Sequence, residues 1–197
     1  MNHLAHCYLS YGDSDLLLGN FIADYVKGRR WEAYPPGVQR GILLHRAIDA
    51  FTDEHPSVRQ SVVRVRPIAG RYAGPVIDIL YDFLLAEQWA TVAEQPFEEF
   101  VGETYAILKS RHGEMPPPLD ERLPRMLAGD FLTGYARTEG LDFVLDRFSR
   151  RLSGAFDWRV LRDHFLQDKS SYLREFISFF PLLDAHARSC AASLEIK

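Results

Sequence analysis

The chain reads as an all-α protein, one compact domain of about eight to ten helices over residues 1–197. Three observations predict this. Apolar residues recur at helical spacing in segment after segment, Gly and Pro fall where such segments would end, and no run alternates apolar and polar residues long enough to make a strand. There is no internal repeat and no low-complexity tract. Gly113 to Leu119, with Pro116-Pro117-Pro118, is the one stretch with the composition of an internal linker.

In chain order, residues 1–10 form a short helix, with Asn2 as its expected cap and His3 and His6 three apart. Tyr11 to Asp15 is a turn ending in N-cap chemistry. A helix then runs from Leu16 and is closed by Gly28. Arg29 to Gly37, with Trp31 and Tyr34, is a loop with the residues to touch a ligand or partner. The next helix, roughly Gly37 to Thr52, carries His45, Asp49 and Asp53 four apart on one face among Ile42, Leu44, Ile48 and Phe51. Asp53, near its end and ahead of a helix opened by Pro56, reads as a cap. The Pro56 helix is expected to reach Arg66 and shows a basic edge of Arg59, Arg64 and Arg66. After a break at Gly70 to Gly74 comes a strongly apolar helix from Pro75 to Trp89. Pro96 to Ser110 is amphipathic, with acids in the first turn where the helix dipole favours them. Short helices near 121–127 and 141–152 precede a long helix from Trp158, expected to bend or break at Pro181.

Composition sets limits on function. With 47% hydrophobic and 25% charged residues, the chain can bury a core without disulfides or structural metals. Its two cysteines, Cys7 and Cys190, offer neither a disulfide framework nor a zinc-thiolate site. The start lacks a signal peptide's basic and apolar regions, and no stretch approaches the apolar length of a membrane span, so a cytoplasmic protein is expected. The net charge of -4 hides an asymmetry: residues 27–71 hold nine Lys or Arg against Glu32, Asp49, Asp53 and Glu54. A basic region on an acidic protein argues for an anionic partner there, with a solvated surface as the plain alternative. No Ser-His-Asp nucleophile, P-loop or dinucleotide motif is visible.

Four polar pairs stand at helical spacing among apolar neighbours: His3/His6, Asn20/Asp24, His45/Asp49 and Asp78/Asp82. A buried carboxylate without a partner is costly or protonates. The group points to a shared cation, and imidazole plus carboxylate without thiolate is a ligand set of Mn²⁺, Mg²⁺, Fe or Zn²⁺. Helix capping, or pairing with an arginine such as Arg46, is the alternative for each residue taken singly.

These same stretches carry a resemblance. Met1-Asn2-His3-Leu4-Ala5-His6, then Leu18-Gly19-Asn20 through Gly28, Gly41 to Asp49, and Leu80-Tyr81-Asp82-Phe83 follow, in order and spacing, the acyl carrier protein phosphodiesterase family. The second half resembles it only in the aromatic-rich Tyr172 to Phe180 region. The resemblance implies a distorted, HD-like helical fold and an enzyme of lipid metabolism that hydrolyses the phosphodiester between 4'-phosphopantetheine and a serine of holo-acyl carrier protein. It also implies a divalent metal, Mn²⁺ first, with Mg²⁺ or Fe²⁺ as alternatives. The HD pattern sets His and Asp side by side, whereas His45 and Asp49 are one helical turn apart, so its ligand list does not transfer.

With that chemistry, Asp24, His45, Asp49 and Asp78 are the expected metal shell and catalytic set, with His6 and Asp82 as further ligands. Asn20 would hold a phosphate oxygen or orient Asp24, and Arg46 would contact the diester. Arg29, Arg30, Arg59, Arg64 and Arg66 would dock the small, acidic carrier protein. No nucleic acid or membrane partner is expected. Two other functions stay open: a phosphohydrolase for a nucleotide or other small phosphoester, and a non-catalytic helical module that binds an acidic protein.

Overall fold

The computed structural model describes residues 1–194 of the domain read over 1–197. Twelve α-helices joined by short 3₁₀ turns make it, with no strand among the described residues. Five of them frame the site: α1 (His3–Tyr8), α2 (Ser14–Ile22), α3 (Pro36–Glu54), α4 (Pro56–Ala69) and α5 (Ala73–Glu87). The others are α6 (Trp89–Val92), α7 (Phe97–Ser110), α8 (Pro117–Asp120), α9 (Leu123–Ala128), α10 (Thr138–Arg151), α11 (Trp158–Gln167) and α12 (Lys169–Ser193).

Helix α5 is the axis of the main core. Leu80, Tyr81 and Leu84 are fully buried in it, and α1, α4, α10 and α12 pack around it. A second core gathers Leu18, Phe21, Ile22, Val38 and Ile42 of α2 and α3 against Met115, Leu119 and Leu123.

Helices α2 and α3 meet backbone to backbone at Gly19 and Gly41. A Cβ on Gly41 would stand 2.4 Å from the Leu16 carbonyl oxygen, and one on Gly19 would stand 2.1 Å from that of Val38. Absence of side chains there lets the two helices approach closely enough for Asn20 of α2 to touch His45 of α3.

The local structure departs from the sequence expectation at helix ends and caps. Helix α2 stops at Ile22, and a 3₁₀ turn, Ala23–Tyr25, carries Asp24. Asn2 does not cap α1 with its side chain, which instead donates to the Tyr135 hydroxyl at 2.9 Å. Asp53 does not cap α4; the His55 ring accepts from Ser57 N–H. The tail breaks at Asp168, not at Pro181, which lies inside a continuous α12. The carbonyl that Pro181 leaves without a helical partner belongs to Ile177, an exposed residue, so water can satisfy it.

The cap that α1 lacks locally comes from 80 residues away. Buried Asp82 of α5 accepts from the backbone N–H groups of Asn2 (3.2 Å), Leu4 (2.7 Å) and Ala5 (3.3 Å). Burial still pushes its carboxyl up to about 7, against the pull of the Met1 ammonium and those three donors. Asp82 therefore fastens the helix that carries His6. Asp82→Ala leaves three donors unpaired and is expected to lower unfolding free energy by about 3 kcal/mol, read by urea titration.

Candidate metal centre

Two imidazoles from different helices stack face to face, His6 of α1 and His45 of α3, with centroids 4.0 Å apart and planes 17° from parallel. Asn20 sets both. Its amide nitrogen donates to the His6 carbonyl (2.8 Å) and to Ser10 Oγ (3.2 Å), which turns its Oδ1 toward the rings. His6 Nδ1–H donates to that oxygen at 2.7 Å. His45 Nδ1–H donates to the Asn20 main-chain carbonyl at 2.9 Å, with Oδ1 at 3.2 Å. Each partner is an acceptor, so each Nδ1 carries its hydrogen, and each ring, in its neutral form, turns the lone pair of Nε2 to the other side.

Asp49 waits on that side. Its Oδ1 lies 3.2 Å from His6 Nε2 and its Oδ2 lies 3.1 Å from His45 Nε2, while Asp24 Oδ1 is 3.3 Å from His45 Nε2. His6 Nε2 is buried and makes no hydrogen bond. A lone pair thus faces a carboxylate oxygen at contact distance, an arrangement that repels unless a cation stands between them.

The surrounding acids favour positive charge at His45. Burial disfavours charge on His45, but hydrogen bonding and attraction from Asp24 and Asp49 outweigh it and lift the ring to about 9. Burial and the neighbouring His45 hold His6 down at about 4. Burial would raise Asp49, yet the two histidines and the N-terminal ammonium hold it far below the usual carboxylate range. Asp24 is also lowered, chiefly by its bond to His45. A proton on His45 Nε2 and a metal ion compete for the same lone pair. The ligand atoms of His6, His45 and Asp49 lie within 4.8 Å of one another, the reach of a single ion. Two imidazoles, a carboxylate and a nearby exposed Asp24 suit a divalent cation, and the hydrogen bonds from each Nδ1 are the orienting contacts that metal-bound histidines require.

The other sequence-predicted residues divide into near and far. Asp78 Oδ1 accepts from the buried Met1 ammonium at 2.9 Å, and that nitrogen lies 3.7 Å from Asp49 Oδ1. Asp78 thus reaches the cluster through an ammonium group. Asp82 spends its oxygens on α1, as described. Arg46 donates to the Val26 and Gly28 carbonyls and holds the loop after Asp24. Arg29 pairs with Glu32 at 2.7 Å, and Arg30 is exposed on the same loop.

Arg64 points away from the basic edge. It grips Glu175 of α12 with two bonds of 2.7 Å, touches Asp168 at 3.2 Å and lies over the Tyr172 ring. Arg64→Ala is therefore expected to lower stability by about 2 kcal/mol, since a partly buried carboxylate loses its partner. Thermal melting would register this, and the KM of any substrate should hold. Arg59 and Arg66 stay exposed and line a cleft between α4 and α5.

Three further residues build the site: Gly19, Gly41 and Ser10. The signal for the glycines was available: each sits mid-helix, where glycine is unfavourable unless two backbones must touch. Ser10 had no such signal, because its role appears only once α1 and α2 are folded together.

An acyl carrier protein phosphodiesterase from Enterobacter sp. (strain 638) is 30% identical over 194 residues, covering 96% of this chain and 98% of that protein. One from Salmonella agona (strain SL483) is 30% identical over 192 residues, covering 95% and 97%. No solved structure matches the chain. Residues 1–183 match the family described as acyl carrier protein phosphodiesterase. The chain belongs to the acyl carrier protein phosphodiesterase family, a family of enzymes.

Proposed function

We propose that the protein is a metal-dependent phosphodiesterase that hydrolyses 4'-phosphopantetheine from the serine of holo-acyl carrier protein, leaving the apo form. The observation that carries this is the unpartnered Nε2 of His6 facing Asp49 at 3.2 Å beside His45. In this reading His6, His45 and Asp49 hold one divalent ion, with Mn²⁺ first and Mg²⁺ or Fe²⁺ as alternatives. Bound there, the ion would lower the pKa of a coordinated water and offset the charge of the phosphoryl oxygens.

The chain's own residues do the rest. Asn20 fixes both rings, so the ligands need not reorganise when substrate arrives. Asp24 has a side chain 73% exposed and touches the cluster only through His45, so it can take the proton of the attacking water. The Met1 ammonium and Asp78 keep Asp49 in place from behind. The kinship with HD phosphohydrolases implied by the resemblance belongs to this same proposal.

No helix among the described residues is long and apolar enough to cross a membrane, and the relatives' names support a carrier-protein substrate. The test is incubation with holo-acyl carrier protein and Mn²⁺ while the carrier's mass is followed. Loss of the phosphopantetheine mass, prevented by His45→Ala, is expected. An unchanged carrier under Mn²⁺, Mg²⁺ and Fe²⁺ would overturn the proposal.

A further inference from the structure

Arg59, Arg66 and Arg71 converge on a cleft of about 450 Å³ between α4 and the start of α5. Two of them, Arg59 and Arg66, are among the arginines expected from the sequence to dock a carrier protein. The cleft differs from a docking surface in volume, charge and position.

Its volume is that of a small-molecule pocket, and Val58, Val62 and Val63 give it an apolar wall. Its charge is uncompensated. Among the described residues Arg66 has no hydrogen bond or ion pair; Arg59 donates only to the Asp53 carbonyl (3.1 Å) and Arg71 only to the Tyr72 hydroxyl (2.7 Å). Arg64, on the same helix, is fully engaged by Glu175, so the free guanidinium groups belong to the cleft face alone. Neither Asp53 nor Asp78, the two acids that line the cleft, pairs with these arginines. Asp78 is occupied by the Met1 ammonium, which lies 3.7 Å from Asp49, so one lining residue of the cleft is a single ammonium group away from the ligand cluster.

We infer that this cleft seats the phosphorylated arm that the reaction releases, with Arg59, Arg66 and Arg71 binding its phosphomonoester. This rests on the phosphodiesterase reading. Hydrolysis adds water across the P–O bond to the serine: the hydroxyl oxygen goes to phosphorus, the proton to the serine oxygen, and the arm leaves as a phosphomonoester. That product bears more negative charge than the diester it came from, and guanidinium groups pair bidentately with such oxygens.

The test is calorimetric titration of the intact Mn²⁺-loaded protein with 4'-phosphopantetheine and, separately, with unphosphorylated pantetheine. The phosphorylated arm should bind more than about tenfold tighter, and Arg66→Ala and Arg71→Ala should each weaken it about tenfold, the worth of one charge-assisted hydrogen bond. Lys109→Ala, at an exposed site on α7, should change nothing, and Arg66→Lys should restore part of the loss. Melting curves separate these effects from misfolding.

If Arg66→Ala and Arg71→Ala raise the KM for the carrier protein yet leave 4'-phosphopantetheine binding intact, the cleft is a protein dock and the inference is overturned. Release of the arm from the carrier with arginine-independent product binding overturns the cleft alone. Arginine-dependent binding without any release supports the cleft and overturns the phosphodiesterase reading.

Discussion

Asp49→Asn is expected to abolish turnover while the protein stays folded. Asp49 is the acid that meets the Nε2 atoms of both imidazoles, at 3.2 and 3.1 Å, and its carboxylate is 41% exposed, so the fold does not depend on burying it. The amide keeps the shape and removes the charge. It also turns an N–H toward one of two lone pairs that need a cation. Loss of the ion removes several kcal/mol of transition-state stabilisation, about three powers of ten in kcat. His45 should respond as well. With Asp49 neutral, a main cause of its raised pKa disappears, and NMR titration of its ring should show a value well below about 9. A variant with full activity and an unshifted His45 would remove Asp49 from the centre of the site.

The second large effect is expected far from any ligand atom. Gly41→Ala in the middle of a helix would ordinarily stabilise by about 0.5–1 kcal/mol. Here the sign should reverse. The added Cβ would lie 2.4 Å from the Leu16 carbonyl oxygen and 2.8 Å from Gly19 Cα, and both are backbone atoms that cannot rotate away. Helices α2 and α3 must separate, at a cost of about 1–3 kcal/mol in chemical denaturation. Separation also draws the Asn20 carbonyl away from His45 Nδ1, whose bond is 2.9 Å. Loss of such an orienting contact typically lowers metal affinity about 10–100-fold. Both losses should therefore appear together, and an alanine variant as stable as the parent would mean that the helix crossing does not set the site.

The all-α class and most helix ends were legible in the sequence because they depend on local spacing and on Gly and Pro. Pro181 misled because its local effect was overridden: the carbonyl it orphans is on an exposed turn, so a 25-residue helix passes through. The site was half legible. His45, Asp49, Asp24 and His6 could be found from polar residues at helical spacing in apolar surroundings. Spacing alone could not tell Asp82 from Asp49, since both are acids one turn from a second polar residue. The difference is tertiary: one meets the open N–H groups of α1 and the other meets two imidazoles. Arg64 and Arg66 pose the same problem, two residues apart on α4 but on different faces, one bound to Glu175 and one free in a cleft. The part of Asn20 in setting the two rings needs α1, α2 and α3 folded together, which spacing cannot show. Asn20 orients two histidines, and Asp24 touches only one of them.

In the proposed centre His6, His45 and Asp49 share one divalent ion. Titration of Mn²⁺ into the purified protein, followed by electron paramagnetic resonance of the free ion, tests this most directly. Saturable binding of a single ion per chain is predicted, lost in His6→Ala and in His45→Ala and unaffected by Lys109→Ala. Binding that is absent, or that survives both histidine variants, would mean that these residues hold no ion.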